Sequence, residues 1–157
     1  MSIKNLFLLV LALGFSVFFV RPLNAEENTP RFPPQAIIAA AYRGDEHMVR
    51  EIIAAGTDKD VRDSLGATAL HAAVYSKNLM VIKLLLDNGF DPNARDTIHG
   101  YTPLHYAVVS NNPDAAWLLV QYRADDTIKC AEGLTPIAKA RMEEKRALVN
   151  VLSRIRY

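Results

Sequence analysis

Apolar residues fall along this chain in two regimes. An uncharged run from Leu6 to Val20 comes first. From Gln35 onward, apolar positions recur three and four residues apart, in short blocks broken by glycine, proline and asparagine. Ile37, Ala40 and Ala41 form one stripe. Met48, Val49, Ile52 and Ile53 form the next, with Gly44 in the turn between them and Gly56 as a helix terminator. The alternation continues. Leu70 and Ala73 precede Leu79, Val81, Ile82, Leu84, Leu85 and Leu86, and Leu104 and Ala107 precede Ala115, Ala116, Leu118, Leu119 and Val120. Ile137 precedes Leu148, Val149, Val151, Leu152 and Ile155. This pattern predicts a succession of helix–turn–helix pairs, each with one buried face.

The start of the third pair shows how such a unit is built. In Gly100-Tyr101-Thr102-Pro103-Leu104-His105-Tyr106-Ala107, the glycine suits a tight turn and the Thr102 hydroxyl can accept from an orphan amide as N-cap. Pro103 stands at the first helical position, where a missing N–H costs nothing. Leu104 opens the apolar stripe, and Ala107 lets a second helix approach closely. The string recurs as Gly66-Ala67-Thr68-Ala69-Leu70-His71-Ala72-Ala73 and as Gly133-Leu134-Thr135-Pro136-Ile137-Ala138-Lys139-Ala140. Thr68 to Thr102 is 34 residues, and Thr102 to Thr135 is 33.

A T-P-L-H-x-A signature at a period near 33 resembles the ankyrin repeat, a β-turn followed by two antiparallel helices. The structural motif falls on Thr68, Leu70, His71, Thr102, Pro103, Leu104, His105, Thr135 and Pro136. The resemblance implies an all-α solenoid of about four repeats with β-hairpin-like tips, spanning residues 35–157 and divided at about 35–65, 66–99, 100–132 and 133–157. Asp91-Pro92-Asn93-Ala94-Arg95-Asp96 matches the family's outgoing D-x-N-A-x-D segment. Thr97-Ile98-His99 makes one tip a residue longer, which accounts for the 34-residue step. The first repeat carries Ile38 in place of the histidine and lacks the Thr-Pro entry. The fourth diverges after Ile137 and turns polar, as terminal repeats must. Arg123 replaces the usual terminating glycine, a local strain that glycine would relieve.

The leading apolar run has a different character. Lys4 precedes it, and Arg21-Pro22-Leu23-Asn24-Ala25 follows, giving the three regions of a secretory signal peptide with the cut after Ala25. About fifteen apolar residues are fewer than the ~20 a membrane-spanning helix needs, although an uncleaved anchor is the alternative. Residues 26–34, with Pro30, Pro33 and Pro34, read as an extended leader. The full chain has a formal net charge of +1; without residues 1–25 it keeps 16 basic and 17 acidic residues, a net of −1. Such a balance makes no electrostatic case for nucleic acid or for an anionic membrane surface. Cys130 is the single cysteine, which excludes an intramolecular disulfide, and it is expected to be an inert, partly exposed loop residue.

The sequence offers no persuasive catalytic or metal set. It lacks a Gly-x-Ser-x-Gly elbow, a His-Glu-x-x-His pair and a phosphate-binding glycine loop. Asp58, Asp60 and Asp63 hint at a calcium loop but lack its glycine and terminal glutamate. His71 and His105 fall short of a zinc set, and the resemblance makes them scaffold residues that bond the turn region. No cofactor and no catalysis are expected.

The resemblance also implies how the chain works. Ankyrin repeats bind proteins through the hairpin tips and the concave face of their first helices. Here the concave positions are Tyr42, Tyr75, Val109 and Met142, and the tip positions include Leu65, Ile98, His99, Tyr101 and Leu134. A ladder of tyrosine and aliphatic side chains on one face suits a protein partner, with Tyr75 the expected anchor. Trp117 lies toward the outer side of a second helix. It either packs against Tyr122 as a local cover, the preferred arrangement, or forms a second contact. The expectation is a monomeric, exported interaction module in a bacterial periplasm, inhibiting or protecting a periplasmic enzyme. Secretion and membrane anchoring are the alternatives for location. A self-associating structural protein of the cell envelope is the alternative for function.

Overall fold

The computed structural model describes residues 31–154. The expected signal peptide, residues 1–25, residues 26–30 of the extended leader, and Ile155 on the last apolar face lie outside the described residues. Eight helices follow one another: α1 (Ala36–Arg43), α2 (Glu46–Ala54), α3 (Ala69–Tyr75), α4 (Leu79–Asp87), α5 (Pro103–Val109), α6 (Pro113–Gln121), α7 (Pro136–Met142) and α8 (Arg146–Arg154). Consecutive helices pair. Across pairs, α1, α3, α5 and α7 pack in one layer and α2, α4, α6 and α8 in the other. The all-α solenoid is as expected.

Five of the eight helices begin at a side chain that accepts from the first turn. Thr102 Oγ1 accepts from the His105 amide at 3.4 Å, and Thr135 Oγ1 from the Ala138 amide at 3.3 Å. The second helices have their own series of caps, which the motif alone does not show. Asp45, Asn78 and Asn112 each accept from the amide three residues ahead, at 3.0 Å in every case. Ile37, Ile52, Leu70, Ile82, Leu85, Leu104, Leu119, Leu148 and Leu152 are fully buried between the layers. Leu79 is the exception among the expected core residues: at the first position of α4 it points outward and stays exposed.

The backbone repeats as faithfully as the side chains. The turn inside each pair passes through a left-handed residue, in order Gly44, Lys77, Asn111 and Glu144, with φ of 69°, 61°, 50° and 55°. Three of these are not glycine, so each carries a local cost. Arg123, with φ of 64°, occupies the left-handed position after α6, which is the strain expected from the sequence.

No strand forms among the described residues. The predicted hairpin tips are tight turns, each closed by a backbone bond across its base: Asp63 N to Ala67 O (3.0 Å), Asp96 N to Tyr101 O (2.9 Å) and Cys130 N to Leu134 O (2.9 Å). Neighbouring tips also join, through Thr97 N to Leu65 O at 3.0 Å and Ala131 N to His99 O at 2.8 Å. This stacking explains Gly66, and all three tip glycines hold a positive φ. A Cβ on Gly66 would meet the Thr97 side chain at 2.5 Å, and one on Gly100 would meet Arg95 at 2.5 Å. At the N-terminal end of the stack, Phe32 packs against the core.

Candidate functional site

The two motif histidines are joints between repeats. His71 Nδ1 accepts from the Thr68 amide at 3.1 Å and lies 2.9 Å from the Thr68 hydroxyl. Its Nε2 donates across the repeat boundary to the Tyr101 carbonyl at 3.1 Å. His105 repeats this arrangement with Thr102 and with the Leu134 carbonyl, the latter at 3.1 Å. These partners assign the neutral ring with hydrogen on Nε2. Burial pushes the His71 pKa down to about 4 and lowers that of His105, because the charged form has no water to solvate it. Both nitrogens of each ring are engaged by protein groups. Among the described residues, no group of three or more His, Cys, Asp or Glu side chains could hold a metal ion.

The first-helix layer presents the expected ladder. Tyr42, Tyr75, Val109 and Met142 occupy the same register on α1, α3, α5 and α7, and all four are exposed. The Tyr42 and Tyr75 rings, 57% and 51% exposed, stack on each other at 5.9 Å between centroids and 15° between planes. Beside them runs a groove of about 620 Å³ lined by Ile38, Tyr42, Leu65, Ala72, Tyr75 and Tyr106, together with Arg43 and Asp63. Of the predicted binding residues, Tyr42, Leu65 and Tyr75 come together here. Val109, Met142 and Ile98 are exposed but stand outside the groove lining.

The chain's register could have revealed three of the missed lining residues, Ala39, Ala72 and Tyr106. Ala39, Ala72, Tyr106 and Lys139 each precede a ladder residue by three, so they lie on the same helix face. Tyr106 is half-buried, and its hydroxyl pKa is raised by burial and then by the nearby Asp96 carboxylate.

Several expectations are corrected. Tyr101 is no exposed tip residue. Only 9% of it is accessible, because its ring lies between His99 (4.9 Å) and His105 (5.4 Å, planes 6° apart). The Lys139 ammonium covers the ring at 5.0 Å, and the Tyr101 hydroxyl donates to Glu132 at 3.3 Å. Leu134 is half-buried, and its carbonyl serves His105. His99 remains exposed, with its amide donating to Asp96 at 2.7 Å. Cys130 is buried rather than partly exposed. Tyr122 does not stack on Trp117: it packs against the core, and its hydroxyl donates to Asp87 one repeat away. Trp117 is left 55% exposed on the opposite layer.

The fourth repeat has Ala138 at the histidine position and two lysines that bond elsewhere. Lys139 is buried and lies 3.4 Å from Glu143 and 3.6 Å from Glu132. Lys145 pairs with Glu143 at 2.6 Å and donates to the Val108 and Val109 carbonyls at 2.6 and 3.0 Å, capping the C-terminal end of α5.

The family model described as ankyrin repeats matches residues 17–96 and 36–130 of this chain. Similar curated proteins include protein phosphatase 1 regulatory subunit 27 of Mus musculus. It is 39% identical over 101 residues, which cover 63% of this chain and 65% of that protein. An ankyrin repeat-containing protein of Treponema pallidum is 37% identical over 84 residues, covering 54% of this chain and 28% of its own length. An ankyrin repeat protein of Acanthamoeba polyphaga mimivirus is 34% identical over 100 residues, covering 64% and 13% respectively.

Proposed function

This chain belongs to the ankyrin-repeat family, and from that premise we propose that it binds a partner protein without catalysis, through the concave face around Tyr42 and Tyr75 and the adjoining tips. Ankyrin repeats are in general protein–protein interaction modules. The observation that carries the assignment is the exposed tyrosine pair beside an apolar groove. Both rings stay more than half exposed despite stacking on each other, and aromatic side chains of this kind anchor interfaces.

The compartment and purpose are part of the same proposal. The segment through Ala25 has the sequence of a cleaved export signal, which supports a periplasmic location. There the module inhibits or protects an enzyme. The mouse relative is named a regulatory subunit of a phosphatase, and only the general idea of an enzyme-directed binder extends to this chain. Self-association through a Cys130 disulfide is disfavoured by the burial of that thiol.

The test is affinity capture from the periplasmic extract of the source cell, comparing wild type with Tyr42→Ala/Tyr75→Ala. A protein retained by wild type and lost by the variant supports the assignment. Equal retention by both moves the site off the concave face, with exposed Trp117 the next surface to alter. The mass of the protein recovered from that compartment tests export, with Glu26 expected at the N-terminus.

A further inference from the structure

We propose that the concave groove accepts a partner-protein segment in which an apolar side chain is followed closely by a carboxylate. The inference rests on the concave-face binding proposed above and adds the chemistry of what binds there. The groove, about 620 Å³, is apolar along Ile38, Leu65 and Ala72 and has flat aromatic faces at Tyr42 and Tyr75. That volume lies within the ~300–1,000 Å³ usual for sites that enclose compact apolar groups.

The charges around the groove decide what accompanies the apolar group. Two charged residues line it, Arg43 and Asp63. Asp63 is committed: its Oδ1 accepts from the Leu65 and Ala67 amides at 2.8 and 2.9 Å and so holds its own turn. The carboxylates that follow Arg43 in sequence are committed too. Asp45 caps α2 at the Met48 amide, and Glu46 pairs with Arg50 at 2.5 Å. Arg43 is exposed at the last position of α1 and forms no ion pair among the described residues.

Farther along the layer the sign is mixed, since exposed Glu144 occupies the turn position equivalent to Lys77. Lys77, just past α3, is exposed without an ion pair among the described residues, and exposed Arg141 precedes Met142 on α7. An apolar anchor in the groove therefore lies beside an uncompensated guanidinium, which binds carboxylates in bidentate geometry. A cation beside Arg43 would meet repulsion instead, while Asp63 keeps its charge but is held by its own turn.

The experiment uses the purified full-length protein and two blocked six-residue peptides. One carries phenylalanine followed by glutamate, and the other phenylalanine followed by lysine. NMR titration follows the tyrosine ring signals. Shifts at Tyr42 and Tyr75, with at least tenfold tighter binding of the glutamate peptide, support the proposal. Arg43→Glu, a surface change, should abolish or reverse that preference.

Equal binding of both peptides at those rings, unaffected by Arg43→Glu, overturns the proposed charge selection but leaves concave-face binding standing. Shifts confined to the Trp117 side overturn both. Absence of binding by either peptide at millimolar concentration overturns the proposal, as does ring perturbation by decanoate alone or by self-association alone. Capture of a partner by wild type remains the separate check on the concave face.

Discussion

Acid should weaken this fold before its carboxylates begin to titrate, and His71 is the reason. Its ring is fully buried, with Nδ1 accepting from Thr68 and Nε2 donating to Tyr101. Protonation would place an N–H against the Thr68 amide and a charge where no water reaches. The unfolded chain takes the proton at about 6.5, whereas the folded chain holds it off until about 4. The folded pKa is therefore depressed. Its contribution is complete above the unfolded pKa and is lost as pH falls from about 6.5 toward 4.

Integrating proton uptake by the unfolded state gives a loss of about 2 kcal/mol between pH 7 and pH 5, and about 3 kcal/mol over the whole window. His105, shifted the same way by burial, adds to it. Asp87, Asp125 and Glu143 are held below the ordinary carboxylate range, so their contributions persist down to about pH 5. The assay is urea unfolding at half-unit steps from pH 7.5 to 5, on wild type and His71→Asn. Asparagine keeps an acceptor near Thr68 but does not titrate. The variant should start less stable by about 1–3 kcal/mol, since the Tyr101 carbonyl loses one of its two donors and keeps only the Asp96 amide. It should also lose about 2 kcal/mol less across the interval. Parallel pH profiles for the two proteins would refute the reasoning.

Three further outcomes follow from particular contacts. Leu104→Ala removes a fully buried side chain from the middle of the stack and should cost about 2–5 kcal/mol, read as a lower urea midpoint; an unchanged midpoint would contradict its place in the core. Arg123→Gly relieves a left-handed non-glycine position and should stabilise the protein by about 0.5–1 kcal/mol, measured as a small rise in Tm; a fall would show that Arg123 makes a compensating contact. Tyr75→Ala should leave the unfolding curve nearly unchanged, because the ring is half exposed, while weakening binding of the captured partner by about 1–2 kcal/mol or more; calorimetry giving equal affinity would remove Tyr75 as an anchor.

Most of the architecture was legible because one physical problem is solved repeatedly at a fixed interval. Gly66, Gly100 and Gly133 sit at equivalent left-handed tip positions. Thr102 and Thr135 cap successive first helices, and the histidines bridge to the next tip. Periodicity makes such residues readable even where no single motif is decisive. The left-handed turns at Lys77, Asn111 and Glu144 were not legible. Gly44 marks the position once, but the other three residues carry no such signal. There the surrounding helices dictate the backbone, and local preference yields to packing. The outward direction of Leu79 escaped for a similar reason: an apolar residue at the first position of a helix can face either way, and the register of α4 turns this one to solvent.

The site was legible in the positions set by helix register and less so in those set by side chains from another repeat. Tyr42, Tyr75, Val109 and Met142 are exposed because spacing on the first helices alone fixes their direction. Tyr101 lies in a tip, where its environment comes from His105 on its own helix, from Lys139 and from Glu132. Lys139 stands in the same register as Ala39, Ala72 and Tyr106, yet the long ammonium side chain folds back over the Tyr101 ring and closes the face that an aromatic tip would otherwise present. Lys139 thus also withdraws a tyrosine from the proposed binding surface. The result concentrates the open aromatic surface of the first-helix layer at Tyr42 and Tyr75, in the first half of the stack, where the groove lies with Arg43, which forms no ion pair among the described residues.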